Sequence, residues 1–341
     1  MNNKYPRVSI IMVNWNGGNV YRNCLNSLSK LDYPDWELIL VDNGSTDGTA
    51  DLSLNPKYGI KSWVIKNDHN VGFAPANNQG YKLAKGKYLL LLNNDTLVEK
   101  NLLKIMVEKM EKDKSIGAMQ PKIKIMDDPR YLDNAGSFMT KIGFLEHWGF
   151  QHRDTKEFDK EKEVFSVKGA CMFIRRAFVD KYGLFDDDFV SYFEESDFCW
   201  KVWLTGQRCV YYPMTFIRHK VGMTSKRMNQ IKINYHGVKN RICSLIKNLD
   251  TTNLIIILIL HLFINVLLTL YYLFCFQLAK SKMIALALYW NIINLNKTMR
   301  KRKLIQKSRV VKDKEIFAKV GRGVNLVQML IHFKKVEANF K

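Results

Sequence analysis

The sequence predicts an α/β protein: a mostly parallel sheet covered by helices, followed by apolar helices that associate with a membrane. Three observations point there. Short β-branched or leucine-rich runs alternate with helically spaced segments over residues 8–92. Most of those runs end in a polar cluster. A 23-residue apolar run, 254–276, then breaks with everything before it.

Residues 8–13 (VSIIMV) read as a buried strand, continuous and bounded by polar residues. Residues 17–31 follow with Val20, Cys24, Leu28 and Leu31 at helical spacing. A second strand covers 37–41 and is closed by Asp42-Asn43-Gly44-Ser45; a short third covers 62–65. Residues 74–84 form a helix, and 88–92 a wholly apolar fourth strand ending in Asn93-Asn94-Asp95. Strands joined by helical crossovers lie parallel, with both faces covered. Such sheets bind ligands at the edge where the strands end. Residues 99–113 form an amphipathic helix and 115–170 short strands and loops. Helices follow at 175–182 and 194–204, with a strand around 209–212.

The chain has 341 residues, 47% of them apolar, which excludes a disordered protein. Its net charge of +21 is uneven: residues 221–341 hold 22 Lys or Arg against 4 acids, or +18, leaving +3 for residues 1–220. A basic tail suits nucleic acid or an anionic membrane. Nucleic-acid grooves interleave aromatic with basic residues, and 297–314 contain no aromatic before Phe317, so no nucleic-acid partner is expected. Lys239, Arg241 and Lys247 precede the apolar run, Lys280 and Lys282 interrupt it, and 297–309 follow it with more. At 1.5 Å per residue the run is long enough for a hydrocarbon layer of about 30 Å. Charge on both outer flanks favours a re-entrant hairpin or interfacial helices on the cytoplasmic face over one clean crossing; a buried core helix is the soluble alternative. The expected division is a catalytic domain at 1–250, apolar helices at 251–296 and a basic tail at 297–341. Six scattered cysteines without a Cys-x-x-Cys pair read as free thiols in a reducing compartment. The run at 8–13 is too short for a signal peptide, so a cytosolic N-terminal unit is expected.

Four polar clusters carry candidate chemistry. In Asn14-Trp15-Asn16-Gly17-Gly18 the indole can stack on a flat base, or pack inside a tight turn. In the segment from Asp42 to Thr49 a carboxylate can accept from a pyrimidine N3–H, or form an Asx-turn and helix cap; Asp42 is assigned the first role and Asp47 the second. Asn93-Asn94-Asp95 suits Mg²⁺ or Mn²⁺ bound with a diphosphate, since these ions take hard oxygens from one or two carboxylates plus phosphate. The alternative is a cap, because Thr96 and Glu99 have capping-box spacing. Glu194-Glu195-Ser196-Asp197 opens a helix, where acids also complement the dipole. Residues 194 and 197 share a face and 195 lies about 100° around. One carboxylate can then serve as a base and another as a structural partner, and Asp197 can pair with Lys201.

Seven ordered stretches carry a family resemblance: VSIIMVNWNGG (8–18), VDNGSTDGT (41–49), NDHNVGFAPANNQG (67–80), LLLLNNDT (89–96), GACMFIRRAFVDKYGLFDDDF (169–189), YFEESDFCWKVWLTGQ (192–207) and IRHKVGMTS (217–225). Over roughly residues 5–250 the chain resembles the family 2 inverting glycosyltransferases with the GT-A fold. It looks most like the rhamnosyltransferase-like branch that builds bacterial surface polysaccharides. The resemblance implies a Rossmann-like N-terminal half and a nucleoside-diphosphate sugar donor. Trp15 matches the aromatic facing the base. Asp42 and Asn43 match the base-binding pair, often Asp-Asp in relatives, so which of them takes N3–H stays open. Asn70 and Gly72, with Asn94, match the nucleotide pocket. Asp95 matches the metal-binding Asp of the DxD motif, and His219 the His that completes that site. Glu195 stands at the catalytic base, followed by Asp197; a Glu where relatives carry Asp leaves Glu194 and Glu195 both open. Lys201 replaces a frequent Arg. The implied reaction is metal-dependent, inverting transfer to a saccharide acceptor, expected to be lipid-linked. Processive polysaccharide synthases share the catalytic domain but usually add a Gln-x-x-Arg-Trp motif and several spans, neither of which is seen here.

Overall fold

The computed structural model describes residues 5–222 and 230–323. In chain order the elements are β1 (Val8–Asn14), α1 (Gly18–Leu28), β2 (Trp36–Asp42), β3 (Ser62–Lys66), α2 (Phe73–Leu83), β4 (Tyr88–Leu92), β5 (Thr96–Val98), α3 (Leu102–Lys112) and β6 (Ile116–Ile125). Next come β7 (Leu132–Asn134), β8 (Ser137–Thr140), β9 (Leu145–His147), β10 (Lys162–Glu163), β11 (Cys171–Arg175), α4 (Arg176–Tyr182), α5 (Glu194–Leu204) and β12 (Arg208–His219). The C-terminal elements are α6 (Gln230–Asn248), α7 (Thr251–Phe274), α8 (Leu278–Ile293), α9 (Leu295–Lys307), α10 (Asp313–Val320) and β13 (Gly321–Arg322). Two compact units result: residues 5–137, 147–190 and 207–221, and residues 138–146, 191–206, 222 and 230–323.

The first unit is built on one sheet of order β10-β12-β6-β11-β4-β1-β2-β3, with β5 on β12 and β7 on β6. The expected parallel order holds for β4, β1, β2 and β3. The other half is mixed: β11 runs antiparallel to β4 and β6, while β12 is parallel to β6. Every residue of β4 is buried, as its leucine run requires of a strand covered on both faces. A fully buried Leu contributes about 1.5–3 kcal/mol. Cys24, Leu25 and Leu28 of α1 and Met106 and Met110 of α3 close one side of this core.

The segment 115–170 contains more than short strands. β6 is ten residues long and buried over its first eight. β12 extends to twelve residues because a register shift between Tyr211 and Phe216 carries the strand past Pro213. Thr96 is not a helix cap: it opens β5, its hydroxyl donates to the Asn93 carbonyl, and α3 starts only at Leu102.

In the second unit α6 packs against α5, α7, α8 and α9. The soluble alternative falls, and one expectation is corrected. Only 17% of the most apolar window of α7 is buried, so it is not a core helix; the most buried positions on it are Ile257, His261 and Asn265. The first basic flank is engaged inside the unit. Lys239 and Lys247 are buried, Lys239 under the Trp290 ring and Lys247 on Asp197. Arg241 is bonded to His261 and stacked on Phe144. Arg302 is also buried, donating to the carbonyls of Ile246 and Leu249. Gln306 adds bonds to Lys247 and Asn248, so α9 side chains satisfy the open carbonyls at the end of α6. All six cysteines are free thiols, five of them buried. The basic tail beyond residue 323 and the end of the IRHKVGMTS stretch (223–225) lie outside the described residues.

Candidate active site

The parallel strands deliver the first cluster. β1 and β2 are in register, so Asn14 lies beside Asp42 at the sheet edge. Asn14 Nδ2 donates to Asp42 Oδ1 at 2.8 Å and to Thr49 Oγ1 at 3.0 Å. Its Oδ1 accepts from Asn94 Nδ2 at 2.7 Å. One buried amide thus ties the end of β2 to the end of β4. Gly17 makes room for it: a Cβ there would lie 2.5 Å from Asn14 Oδ1 and 2.7 Å from Asn94 Nδ2. Asp42 Oδ2 accepts from the Ser45 amide. Asn43 Nδ2 donates to Asn70 Oδ1 and to the Gly72 carbonyl, and its Oδ1 accepts from Asn67. Asn70 Oδ1 also accepts from the Gly72 amide. Gly72 has φ 102°, and a Cβ would meet Val190 at 2.5 Å, so no other residue fits. Trp15 is half-buried beside this network and Asn70 is exposed. Asp47 is a turn residue here, accepting from Gly18 and Thr49.

The second cluster forms where β5 pairs with the end of β12, setting His219 opposite Thr96 and next to Asp95. His219 Nε2 is 3.2 Å from Asp95 Oδ1, a buried oxygen that makes no hydrogen bond. His219 Nδ1 donates to Asp133 Oδ2 at 2.9 Å, and Asp133 Oδ1 accepts from Lys168 Nζ at 2.8 Å. Burial alone would lower the pKa of His219; Asp95 and Asp133 outweigh it and hold it at about 9. Burial likewise opposes ionisation of Asp133, but Lys168 and His219 keep its carboxyl well below the ordinary range. Among the described residues no group of three or more His, Cys, Asp or Glu is set to hold a metal. Two protein ligands still fit an ion that takes its remaining ligands from a diphosphate and water. The open Asp95 oxygen faces the imidazole, whose far nitrogen is fixed by a carboxylate, the usual support of a metal-bound His.

The third cluster belongs to the second unit. α5 is entered through Tyr192 and Phe193, both left-handed (φ 71° and 72°). Asn240 Nδ2 of α6 donates to the carbonyls of Ser191 and Tyr192, fixing this uncommon step. Glu194 is buried and Glu195 half-buried. Burial first, and then the charge of Glu195, push the Glu194 carboxyl well above its ordinary value. Asp197 does not pair with Lys201. Its two oxygens accept from Ser244, Lys247 and Asn248 of α6, all buried. Asp197 is thus tied up in packing, and its position in the helix gave no sign of partners fifty residues on.

The sequence singles out neither Asp133 nor Lys168, and it names Asn14 within the first cluster without a role. Asn14 was visible as the polar end of a buried strand. Asp133 and Lys168 carry no local signal, because each lies in a turn-rich stretch: Asp133 meets His219 only where β7 and β12 flank β6, and Lys168 meets Asp133 from the loop before β11.

The family model for glycosyl transferase family 2 matches residues 9–183, just over half of the chain. Among curated proteins, the poly-beta-1,6-N-acetyl-D-glucosamine synthase of Staphylococcus aureus is 26% identical over 207 residues, 61% of this chain and 48% of that protein. The chain therefore spans about half the length of the curated relatives it matches. Among solved structures, S. aureus TarS 1–349 in complex with UDP-GlcNAc superposes with a TM-score of 0.53 at 18% identity, covering 74% of this chain and 70% of that one. The mannosyltransferase PcManGT of Pyrobaculum calidifontis, in complex with GDP-Man and Mn²⁺, gives 0.52 at 17% identity, covering 89% and 85%. The fold is thus of the GT-A kind. With the match spanning Asn14, Asp42 and Asp95, this chain belongs to glycosyl transferase family 2.

Proposed function

We propose that this chain transfers a sugar from a nucleoside-diphosphate donor to a saccharide acceptor with inversion at the anomeric carbon. The observation that carries the reading is the Asp95–His219–Asp133 chain at the ends of β4 and β12. Asp95 and His219 would hold a divalent ion, Mg²⁺ or Mn²⁺, which when bound supplies charge stabilisation to the leaving diphosphate. PcManGT with GDP-Man and Mn²⁺ supports that choice. Asp42, Asn43, Asn70, Gly72 and Asn94, with Trp15 stacked on the base, would bind and orient the nucleotide. Glu195 would take the proton of the acceptor hydroxyl as its oxygen attacks C1 and the bond from C1 to the diphosphate breaks. Glu194 suits that role less: it is buried, and burial together with the charge of Glu195 raises its pKa well above the ordinary value, which opposes the ionised form a base needs. Asp197 then positions the helix rather than acting on substrate.

The acceptor we infer is lipid-linked, in bacterial surface polysaccharide synthesis at the cytoplasmic face of the cell membrane. The largely exposed α7 supports this. Rhamnose is the first donor sugar to try, from the resemblance of the motifs to the rhamnosyltransferase-like branch. A second reading, processive polymerisation, is favoured by the similarity to a polysaccharide synthase. One experiment covers both: purified protein with Mg²⁺ or Mn²⁺, a nucleotide-sugar panel, nucleoside diphosphate release and product length. Release with single-residue extension is expected, and Glu195→Gln should lower it by about 10²–10⁴-fold with donor affinity unchanged. Near-normal turnover in that variant moves the base to Glu194, a ladder of long products favours the synthase, and no release from any sugar overturns the transferase reading.

A further inference from the structure

The polarity of the α7–α8 pair is inverted relative to a soluble helical hairpin. On α7 the polar residues His261 and Asn265 are fully buried, whereas Ile255, Ile259, Phe263, Val266 and Leu270 are exposed. The same holds on α8, where Ser281 and Asn291 are buried and Tyr289, Ile292 and Ile293 exposed. The inward polar groups place their donors within the unit, while Asn265 Oδ1 and Asn291 Oδ1 accept no hydrogen bond. Asn265 donates to the His261 carbonyl, Thr269 to that of Asn265, Ser281 to that of Thr269, and Asn291 to those of Lys239 and Ala287. The apolar surface continues through the connecting turn, with Phe274 85% and Phe276 88% exposed. In water such a surface is a large exposed apolar patch; against acyl chains it has no such cost.

Length and charge decide how the hairpin meets lipid. α7 has 24 residues without an Asp, Glu, Lys or Arg, about 36 Å at 1.5 Å per residue. The return limb is shorter. Lys282 and Lys297 are both exposed and leave only fourteen uncharged residues between them, about 21 Å, where a crossing needs about 20 residues. The Ser281–Thr269 bond sets Lys282 beside the last third of α7. A full crossing would therefore draw Lys282 or Lys297 into hydrocarbon, at about 2.5–3.5 kcal/mol. An orientation close to the membrane plane leaves both in the headgroup layer. Arg300, Lys303 and Lys307 extend the exposed cationic end, which suits anionic headgroups.

We propose that the α7–α8 hairpin lies within one leaflet of an anionic bilayer and does not cross it, with Phe274 and Phe276 at its apolar tip. This rests on the membrane association proposed above and goes beyond it in fixing the topology. The test is thiol labelling of the full chain in sealed membrane vesicles from expressing cells. Cys275→Ser removes the one native thiol that is not buried, and single cysteines are added as Leu54→Cys (52% exposed, a reference on the sheet unit), Lys282→Cys or Phe276→Cys. With a membrane-impermeant maleimide, Lys282→Cys should label in the same vesicles as Leu54→Cys, and Phe276→Cys only after detergent. Labelling of Lys282→Cys from the opposite side of the membrane to Leu54→Cys overturns the inference while leaving membrane association intact. Recovery of the chain in the soluble fraction overturns both. Nucleoside diphosphate release from the same preparation tests the transferase reading separately.

Discussion

Asn14 shows how one side chain organises a binding edge. Its amide donates to Asp42 and Thr49 and accepts from Asn94, so the loops after β2 and β4 share one buried group. Glu194 is the residue with the sharpest pH consequence. Burial and the neighbouring Glu195 raise its folded pKa well above the ordinary 4.5. Between those two values the native state keeps a proton that the unfolded chain has lost, so stability falls as pH rises through that interval. Glu194→Gln removes the titration. The melting temperature of the variant relative to the parent should therefore rise from pH 5 to pH 8 in a thermal denaturation series; a flat or shrinking difference would refute the upward shift of Glu194.

At the scale of elements, α5 is held by α6 through one buried carboxylate. Asp197 and Lys247 are 2.9 Å apart, with side chains 3% and 2% exposed. Removing one partner leaves a buried charge unmatched, at about 3–5 kcal/mol. Lys247→Met should lower stability by that amount in urea denaturation, and the double change Lys247→Met with Asp197→Asn should recover part of it. A Lys247→Met variant as stable as the parent would show that Ser244 and Asn248 suffice. Asn240 adds a second tie at the left-handed Tyr192–Phe193 step. The helix that opens with the acid pair is therefore set by a segment fifty residues further along the chain, and no periodicity within 194–204 reports it.

Across the whole molecule, the +21 charge divides into two populations. Lys239, Lys247 and Arg302 are structural, buried against rings, a carboxylate and helix carbonyls. Arg300, Lys303 and Lys307 are exposed on α9. Only the second kind can meet an anionic surface, at roughly 1 kcal/mol per residue near it. Replacing those three by Gln should weaken co-sedimentation with phosphatidylglycerol vesicles at low salt and flatten its salt dependence; unchanged binding would show that these three charges do not hold the chain to the surface. The sequence by itself determined the alternation of strands and helices to β4, the polar clusters at strand ends, the family motifs and the apolar helix. Those are local signals: a five-residue apolar strand or a charge-free helix is written in consecutive residues. Tertiary structure decided the mixed half of the sheet, the contact of His219 with Asp133, the packing role of Asp197 and which cations are buried. Each depends on residues far apart in the chain, and burial, which turns a lysine from a surface charge into a structural one, is a property of the packed molecule and not of its composition.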